Sequence, residues 1–276
     1  MNYTVTNDKI LIENPDYFSA KDILTCGQIF RYSFADDVWR VRSGAHFAEI
    51  SERFDRVIVT CDDAEYFRNF FDLDNDYAAI INELYSKPLM SAACDNGRGI
   101  RILKGETGEI IFSFIISANN NIKRIQGIIE RLCETVGAPA AGGGFAFPTA
   151  RAIAALDVPT LNKIGCGYRS PYLIKTAEVL ADGAYIERLS AMDTAEARES
   201  LLRLSGVGGK VADCILLFGL HKTDVFPVDT WIEKVYLTDL GGAPQNREGI
   251  RRRFTDLYGG LSGYAQQYLF YGKRES

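Results

Sequence analysis

The chain reads as an α+β protein: a small N-terminal antiparallel β-sheet domain, residues 1–105, followed by a mostly helical domain, residues 106–276. Three observations predict this. Before Ala64, apolar residues alternate with polar ones in short stretches, the period of a half-buried strand. From about Ala64 onward they recur three and four apart, the period of a helix face. A chain of 276 residues, 47% apolar and 24% charged, also has the composition of an ordinary globular protein with a large core.

The elements follow in order. "YTVTNDKILIEN", "QIFRYSFADDVWRVRSG" and "HFAEISERFDRVIVTC" read as short strands, with turns at Asn7-Asp8, Ala35-Asp36-Asp37 and between Glu52 and Asp55. "SAKDILTCG" is a brief helix among them, with Ser19 as N-cap and Gly27 past its end. "DDAEYFRNFFDL" and "DYAAIINELYSK" open the helical pattern. "TGEIIFSFIISA" and "NIKRIQGIIERLCETVG" are joined by three asparagines, 119–121, and "AGGGFAFP" is a loop. Thr149 starts "ARAIAALD"; Ser170-Pro171 starts "YLIKTAEVLADG", with Gly183 at its stop. Asp193 caps "TAEARESLLRL" and Asp229 stands at the N-cap of "TWIEKVYLTDL". The last helix, roughly "GLSGYAQQYLFYG", is expected to pack back near the N-terminal domain.

Several function classes drop out. The longest apolar runs are too short to span a bilayer, and the N-terminus has neither basic region nor apolar signal core, so a cytoplasmic protein is expected. Six scattered cysteines without a C-x-x-C pair, and two distant histidines, predict no metal site and no iron–sulfur cluster. The net charge of −5 speaks against a polyanion partner, but its distribution is uneven. Residues 1–100 carry 10 Lys+Arg against 17 Asp+Glu, whereas residues 101–276 carry 21 against 19, with local basic runs such as "NIKRIQGIIER" and "REGIRRRF".

The stretch "LLRLSGVGGKVADCILLFGL", 201–220, carries the chemistry. It is no Walker loop: no glycine stands five residues before Gly209, and Val211 follows the lysine where serine or threonine belongs. Nor is it a dinucleotide fingerprint, since no strand precedes it and Val211 takes the third glycine position. What remains is helix, glycine turn, helix. Gly206, Gly208 and Gly209 can take positive φ and let a foreign backbone approach, while the free N–H groups of the second helix can bind a phosphate. L-x-G-V-G-x-K is the helix–hairpin–helix pattern, which grips a nucleic-acid backbone without reading sequence; a plain αα-hairpin is the bland alternative. Lys210, in the first turn of that helix near Val211 and Ile215, occupies an apolar, positive-dipole setting that suits an amine nucleophile. Asp229, nineteen residues on in "VFPVDTW", would be held ionised by backbone N–H groups and could stabilise positive charge on a sugar. Alone it would be a simple N-cap.

Hairpin, lysine, "VAD" and then "PVD" together resemble the helix–hairpin–helix DNA glycosylases, and within them the eukaryotic-type 8-oxoguanine DNA glycosylase/AP lyases. The resemblance spans roughly residues 20–275 through "GQIFRY", "FSFIISANNNIKRIQGIIERLCETVG", "GCGYRSPYL", "GVGGKVADCILLFGL" and "AQQYLF". It implies excision of 8-oxoguanine opposite cytosine from duplex DNA. Lys210 would attack C1′ and form a Schiff base, and Asp229 would stabilise the oxocarbenium-like sugar. Cys214 and Phe270 would flank the flipped base, Gln266 would bond its Watson–Crick edge, and the Gly27 carbonyl would accept from N7–H. On the opposite strand Asn119 would fill the gap, Tyr168 would wedge into the stack, and Arg124 and Arg169 would bond the orphaned cytosine.

A monomer is the default for an enzyme that encloses a DNA duplex, and no cofactor is expected, while the hairpin carbonyls could bind a monovalent cation beside a phosphate. One departure stands out: the family typically has a histidine two residues after the aspartate, and here that position is Trp231. Two other readings remain open, a monofunctional glycosylase for alkylated purines and a non-catalytic DNA-binding module. The shorter N-terminal domain and the lack of a targeting segment suggest a bacterial or otherwise minimal member.

Overall fold

The structure is a computed structural model that describes residues 1–275. Its N-terminal part holds one antiparallel sheet of six strands among the described residues: β1 (Asn2–Val5), β2 (Lys9–Glu13), β3 (Tyr32–Ala35), β4 (Val38–Ser43), β5 (His46–Arg53) and β6 (Arg56–Cys61). Their order across the sheet is β1-β2-β6-β5-β4-β3, so β6 returns to pair with β2. Register follows the alternation in the sequence. Ile10 faces Val59 and Val59 faces Ile50 in one row, while Ile12 faces Val57 in another, and all five side chains are buried. The expected turn at Asp36-Asp37 closes β3 onto β4 with both residues at positive φ, the requirement of the tight hairpin turn whose twist suits a sheet. "QIF" differs from the expectation. It is no strand, because the buried Gln28 side chain bonds out of the sheet, donating to the Arg101 carbonyl at 2.8 Å and accepting from Leu103 N–H at 2.9 Å.

The helices are α1 (Ala20–Thr25), α2 (Ala64–Phe70), α3 (Tyr77–Tyr85), α4 (Met90–Asn96), α5 (Thr107–Ser117), α6 (Ile122–Val136), α7 (Ala150–Ala154), α8 (Val158–Ile164), α9 (Ser170–Leu180), α10 (Ala184–Ala191), α11 (Thr194–Leu202), α12 (Gly209–Gly219), α13 (Thr230–Lys234), α14 (Arg247–Tyr258) and α15 (Ser262–Glu275). A π-helical segment, Val235–Asp239, continues α13. Caps fall where the sequence puts them: Ser19 accepts from Asp22 N–H, Thr149 from Ala152, and Asp193 forms a capping box with Glu196. Gly183 behaves differently. Helix α9 ends at Leu180, and Gly183, at φ +79°, begins α10 instead. No helix among the described residues is long and apolar enough to cross a membrane.

Two helices form the centre. From Glu109 to Ile116 every residue of α5 is buried, and α12 packs beside it with Phe114 and Phe218 stacked at 5.7 Å. The C-terminal helix α15 lies against α4 and the α1 end: Gln267 Nε2 donates to the Cys26 carbonyl at 2.9 Å, and the Tyr271 hydroxyl donates to Asp22 at 2.6 Å. Residues from the two ends of the chain therefore meet at one place.

Candidate active site and its flanking surface

The glycine stretch folds as a hairpin between α11 and α12. Only Gly206 needs its freedom: φ is +82°, and a Cβ there would stand 2.9 Å from the Cβ of Tyr172. Gly208 and Gly209 have ordinary negative φ, contrary to the expectation for all three. Gly208 is extended at φ −97° and caps α12 without a side-chain partner. A Cβ on Gly208 would meet nothing within 4 Å, so the N-terminal N–H groups of α12 open onto free space. Beneath the hairpin Arg198 bonds Asp213 at 2.7 Å and Glu248 at 3.0 Å, joining α11, α12 and α14.

Six residues singled out from the sequence line one pocket: Gly27, Lys210, Cys214, Asp229, Gln266 and Phe270. They come from the α1 end, α12, the α13 N-cap and α15. The pocket encloses about 40 Å³ in this conformation. That is room for about one water molecule, so an aromatic ligand must displace side chains to enter. Lys210 Nζ lies 4.9 Å from the centre of the Phe114 ring, so its apolar neighbour comes from α5 rather than from its own helix. One turn on, burial pushes the Cys214 thiol up to about 11, against the opposing pull of the Lys210 ammonium. Asp229 Oδ1 accepts from Trp231 N–H at 3.0 Å and Ile232 N–H at 2.9 Å, which fixes the carboxylate at the pocket wall. Gln266 is 5% exposed and its Oε1 is buried with no hydrogen-bond partner among the described residues. An orphaned buried acceptor aimed at a cavity is costly unless a ligand satisfies it. Gly27 sits at φ +87°, and a Cβ there would lie 3.8 Å from the Phe270 ring.

A second group flanks this pocket. Asn119 is exposed with φ +50°, Tyr168 is 56% exposed, and Arg124 is exposed in the first turn of α6. Arg169, expected to bond an orphaned cytosine, is turned onto backbone carbonyls in this structure. It is 3% exposed; Nε donates to the Ala118 carbonyl at 3.0 Å and Nη2 to the Asn119 carbonyl at 3.1 Å. The Tyr168 hydroxyl reaches the same Ala118 carbonyl at 3.1 Å, so both residues brace the loop that carries Asn119. Trp231 is the second residue of α13, with the Lys234 ammonium 4.5 Å over its ring. Sequence reasoning missed Phe114 and Gln267, which also line the pocket. A second glutamine beside Gln266 in an otherwise apolar segment was the available signal; Phe114 had none, because an apolar helix contains many phenylalanines.

Residues 112–258 match the HhH-GPD superfamily base excision DNA repair protein family, and residues 10–111 match the 8-oxoguanine DNA glycosylase, N-terminal domain. A probable N-glycosylase/DNA lyase of Methanothermobacter thermautotrophicus is 34% identical over 235 residues, covering 77% of this chain and 75% of that protein. The N-glycosylase/DNA lyase of Saccharomyces cerevisiae is 31% identical over 63% of this chain, and the match spans half the yeast protein. In solved structures, the Clostridium acetobutylicum 8-oxoguanine glycosylase/lyase, in complex with dsDNA containing cytosine opposite to 8-oxoG, superposes with a TM-score of 0.91 at 34% identity. That superposition covers 100% of this chain and 98% of the other.

Proposed function

Because the chain belongs to the HhH-GPD superfamily of base excision DNA repair proteins and carries an 8-oxoguanine DNA glycosylase N-terminal domain, we propose that it excises 8-oxoguanine opposite cytosine and then cleaves the strand. The observation that carries the reading is the pocket itself. It brings a lysine, a helix-capping aspartate, a thiol, an aromatic ring and an unsatisfied glutamine oxygen to one closed slot.

In this reading duplex DNA lies along the hairpin, with a phosphate on the N-terminal N–H groups of α12. The damaged nucleotide leaves the stack and enters the slot, at a cost of a few kcal/mol that Asn119 and Tyr168 offset by filling the vacated space. Arg124 meets the orphaned cytosine. Arg169 contributes chiefly by holding the Asn119 loop, given its carbonyl partners. Gln266 Oε1 accepts from the Watson–Crick edge and the Gly27 carbonyl accepts from N7–H, which guanine lacks. Phe270 closes over one face and Cys214 lies on the other.

The Lys210 amine forms a bond to C1′ while the glycosidic bond breaks, and the proton that its nitrogen sheds on bonding leaves with the base. Asp229 stabilises the positive charge that develops on the sugar. Opening of the sugar ring gives an imine between Lys210 and C1′. Loss of a C2′ proton then expels the 3′ phosphate by β-elimination, and water releases the enzyme. Six free buried thiols support a reducing compartment, the cytoplasm, as the place of action.

Borohydride reduction in the presence of an 8-oxoguanine·cytosine duplex tests this. A covalent protein–DNA adduct is expected with the natural chain and none with Lys210→Gln. Base release without any trapped adduct would point to a monofunctional glycosylase, and no release at all would leave a DNA-binding module.

A further inference from the structure

Phe270 and Arg274 stand four residues apart on α15, one helical turn on the same face. The Arg274 guanidinium carbon lies 5.5 Å from the centre of the Phe270 ring. Its Nη1 donates to the Thr25 carbonyl at 2.9 Å. Thr25 ends α1, two residues before Gly27, whose left-handed backbone brings it against the Phe270 ring. One side chain therefore touches one wall of the slot, Phe270, and the end of α1 that leads into the other. The adjacent residue anchors the same turn on the other flank: Lys273 Nζ meets Asp239 Oδ1 at 2.8 Å, on the segment that continues the helix capped by Asp229.

We propose that Arg274 is a positioning residue that sets the width and alignment of the base slot by holding the Phe270 ring against the Gly27 segment. This rests on the reading of the slot as the 8-oxoguanine site. Arg274 touches no reacting atom; it acts through Phe270 and Thr25. The slot must widen to admit a base, and a ring clasped by the Arg274 cation loses less rotamer freedom when it settles on that base than a free ring would. Discrimination depends on one hydrogen bond to the Gly27 carbonyl, so a small shift of that carbonyl relative to the ring lowers it.

Two variants separate this role from a structural one. Arg274→Met keeps length and helix propensity but removes the charge and the donors; Arg274→Lys keeps the charge. Arg274→Met is expected to raise KM for an 8-oxoguanine·cytosine duplex about tenfold, the sum of one cation–π contact and one hydrogen bond. It should also lower the 8-oxoguanine-to-guanine excision ratio while leaving strand cleavage at a preformed abasic site unchanged, and Arg274→Lys should recover part of the loss. Unchanged KM and discrimination would overturn the proposal, as would an equal loss on the abasic duplex.

A second measurement needs no DNA. Alkylation of Cys214 by N-ethylmaleimide, located by peptide mass spectrometry and referenced to buried Cys133 on α6, should be several-fold faster in Arg274→Met. Equal relative rates would sink the clasp. If the natural chain releases no 8-oxoguanine, the proposed function fails, while the thiol rates still judge whether Arg274 closes the pocket.

Discussion

Arg198 Nε lies 2.7 Å from Asp213 Oδ1 across the two helices of the hairpin, with the carboxylate side chain only 2% exposed. Burial pushes the Asp213 carboxyl up to about 6, against the pull of Arg198. Removing the cation alone leaves a buried charge without compensation, so Arg198→Met should cost about 3 kcal/mol in denaturant unfolding. The double variant Arg198→Met/Asp213→Leu should recover most of that loss. If both proteins are equally destabilised, the pair is not what holds α11 to α12.

The three hairpin glycines should separate under alanine substitution. Gly206→Ala forces a side chain into positive φ and against Tyr172, so it should destabilise the free protein by more than about 1 kcal/mol. Gly208→Ala meets open space at ordinary φ and should leave thermal unfolding unchanged. Its Cβ instead projects where a DNA backbone would approach, so duplex affinity should fall in a titration at fixed salt. Unaltered affinity for Gly208→Ala would remove the hairpin from the DNA interface.

Asp72 is the buried anchor between the two halves of the chain. It accepts from Asn75 at 2.8 Å and Tyr77 at 3.0 Å, and pairs with Lys104 at 2.7 Å. From beyond the end of α12, His221 Nε2 stands 3.4 Å away, an ion-pair distance without hydrogen-bond alignment. Burial raises its pKa, yet His221, Lys104 and Asn75 outweigh that and hold it at about 2. A depressed carboxylate contributes stability above its unfolded pKa and loses it as pH falls through the folded one. The deficit of Asp72→Asn should therefore be about 3 kcal/mol at neutral pH and shrink as pH drops from about 4 toward 2. A deficit constant with pH would show that the charge is not what matters.

Glu109 has the opposite sign. It lies on buried α5, accepts from Gly44 N–H at 2.6 Å and stands 3.9 Å from the buried Arg31, yet burial pushes it up to about 7. A raised carboxylate favours folding below its unfolded pKa of about 4.5, and that contribution disappears as pH rises through about 7. Glu109→Gln keeps an oxygen for Gly44 and removes the titration. Melting curves between these two pH values should show the natural chain losing stability relative to Glu109→Gln as pH rises; parallel curves would mean that Arg31 keeps the carboxylate ionised throughout.

Local features were legible where the signal is local. Ser19, Thr149, Asp193 and Asp229 cap helices because a short polar side chain beside a run of helical period has free N–H groups within reach. Four helices, α4, α8, α10 and α14, are not among those the sequence predicts. Helices α4 and α10 start at Leu89 and Gly183 with left-handed backbone and no side-chain cap, so nothing marks their beginning. Helices α8 and α14 do carry caps, Asp157 before Pro159 and Asn246.

By itself the sequence determined the elements with periodic faces, the hairpin with its lysine and the order of the two halves, because period, caps and glycine turns act over a few residues. Tertiary structure alone decided that Lys210 faces Phe114, that Arg169 turns inward onto the Asn119 loop, that Asp72 meets His221, and that Arg274 ties Phe270 to the end of α1. Each of those pairs except Phe270–Arg274 joins residues far apart in the chain. Such contacts are chosen by how buried surfaces fit once the whole chain has collapsed, and no spacing along the sequence encodes that fit.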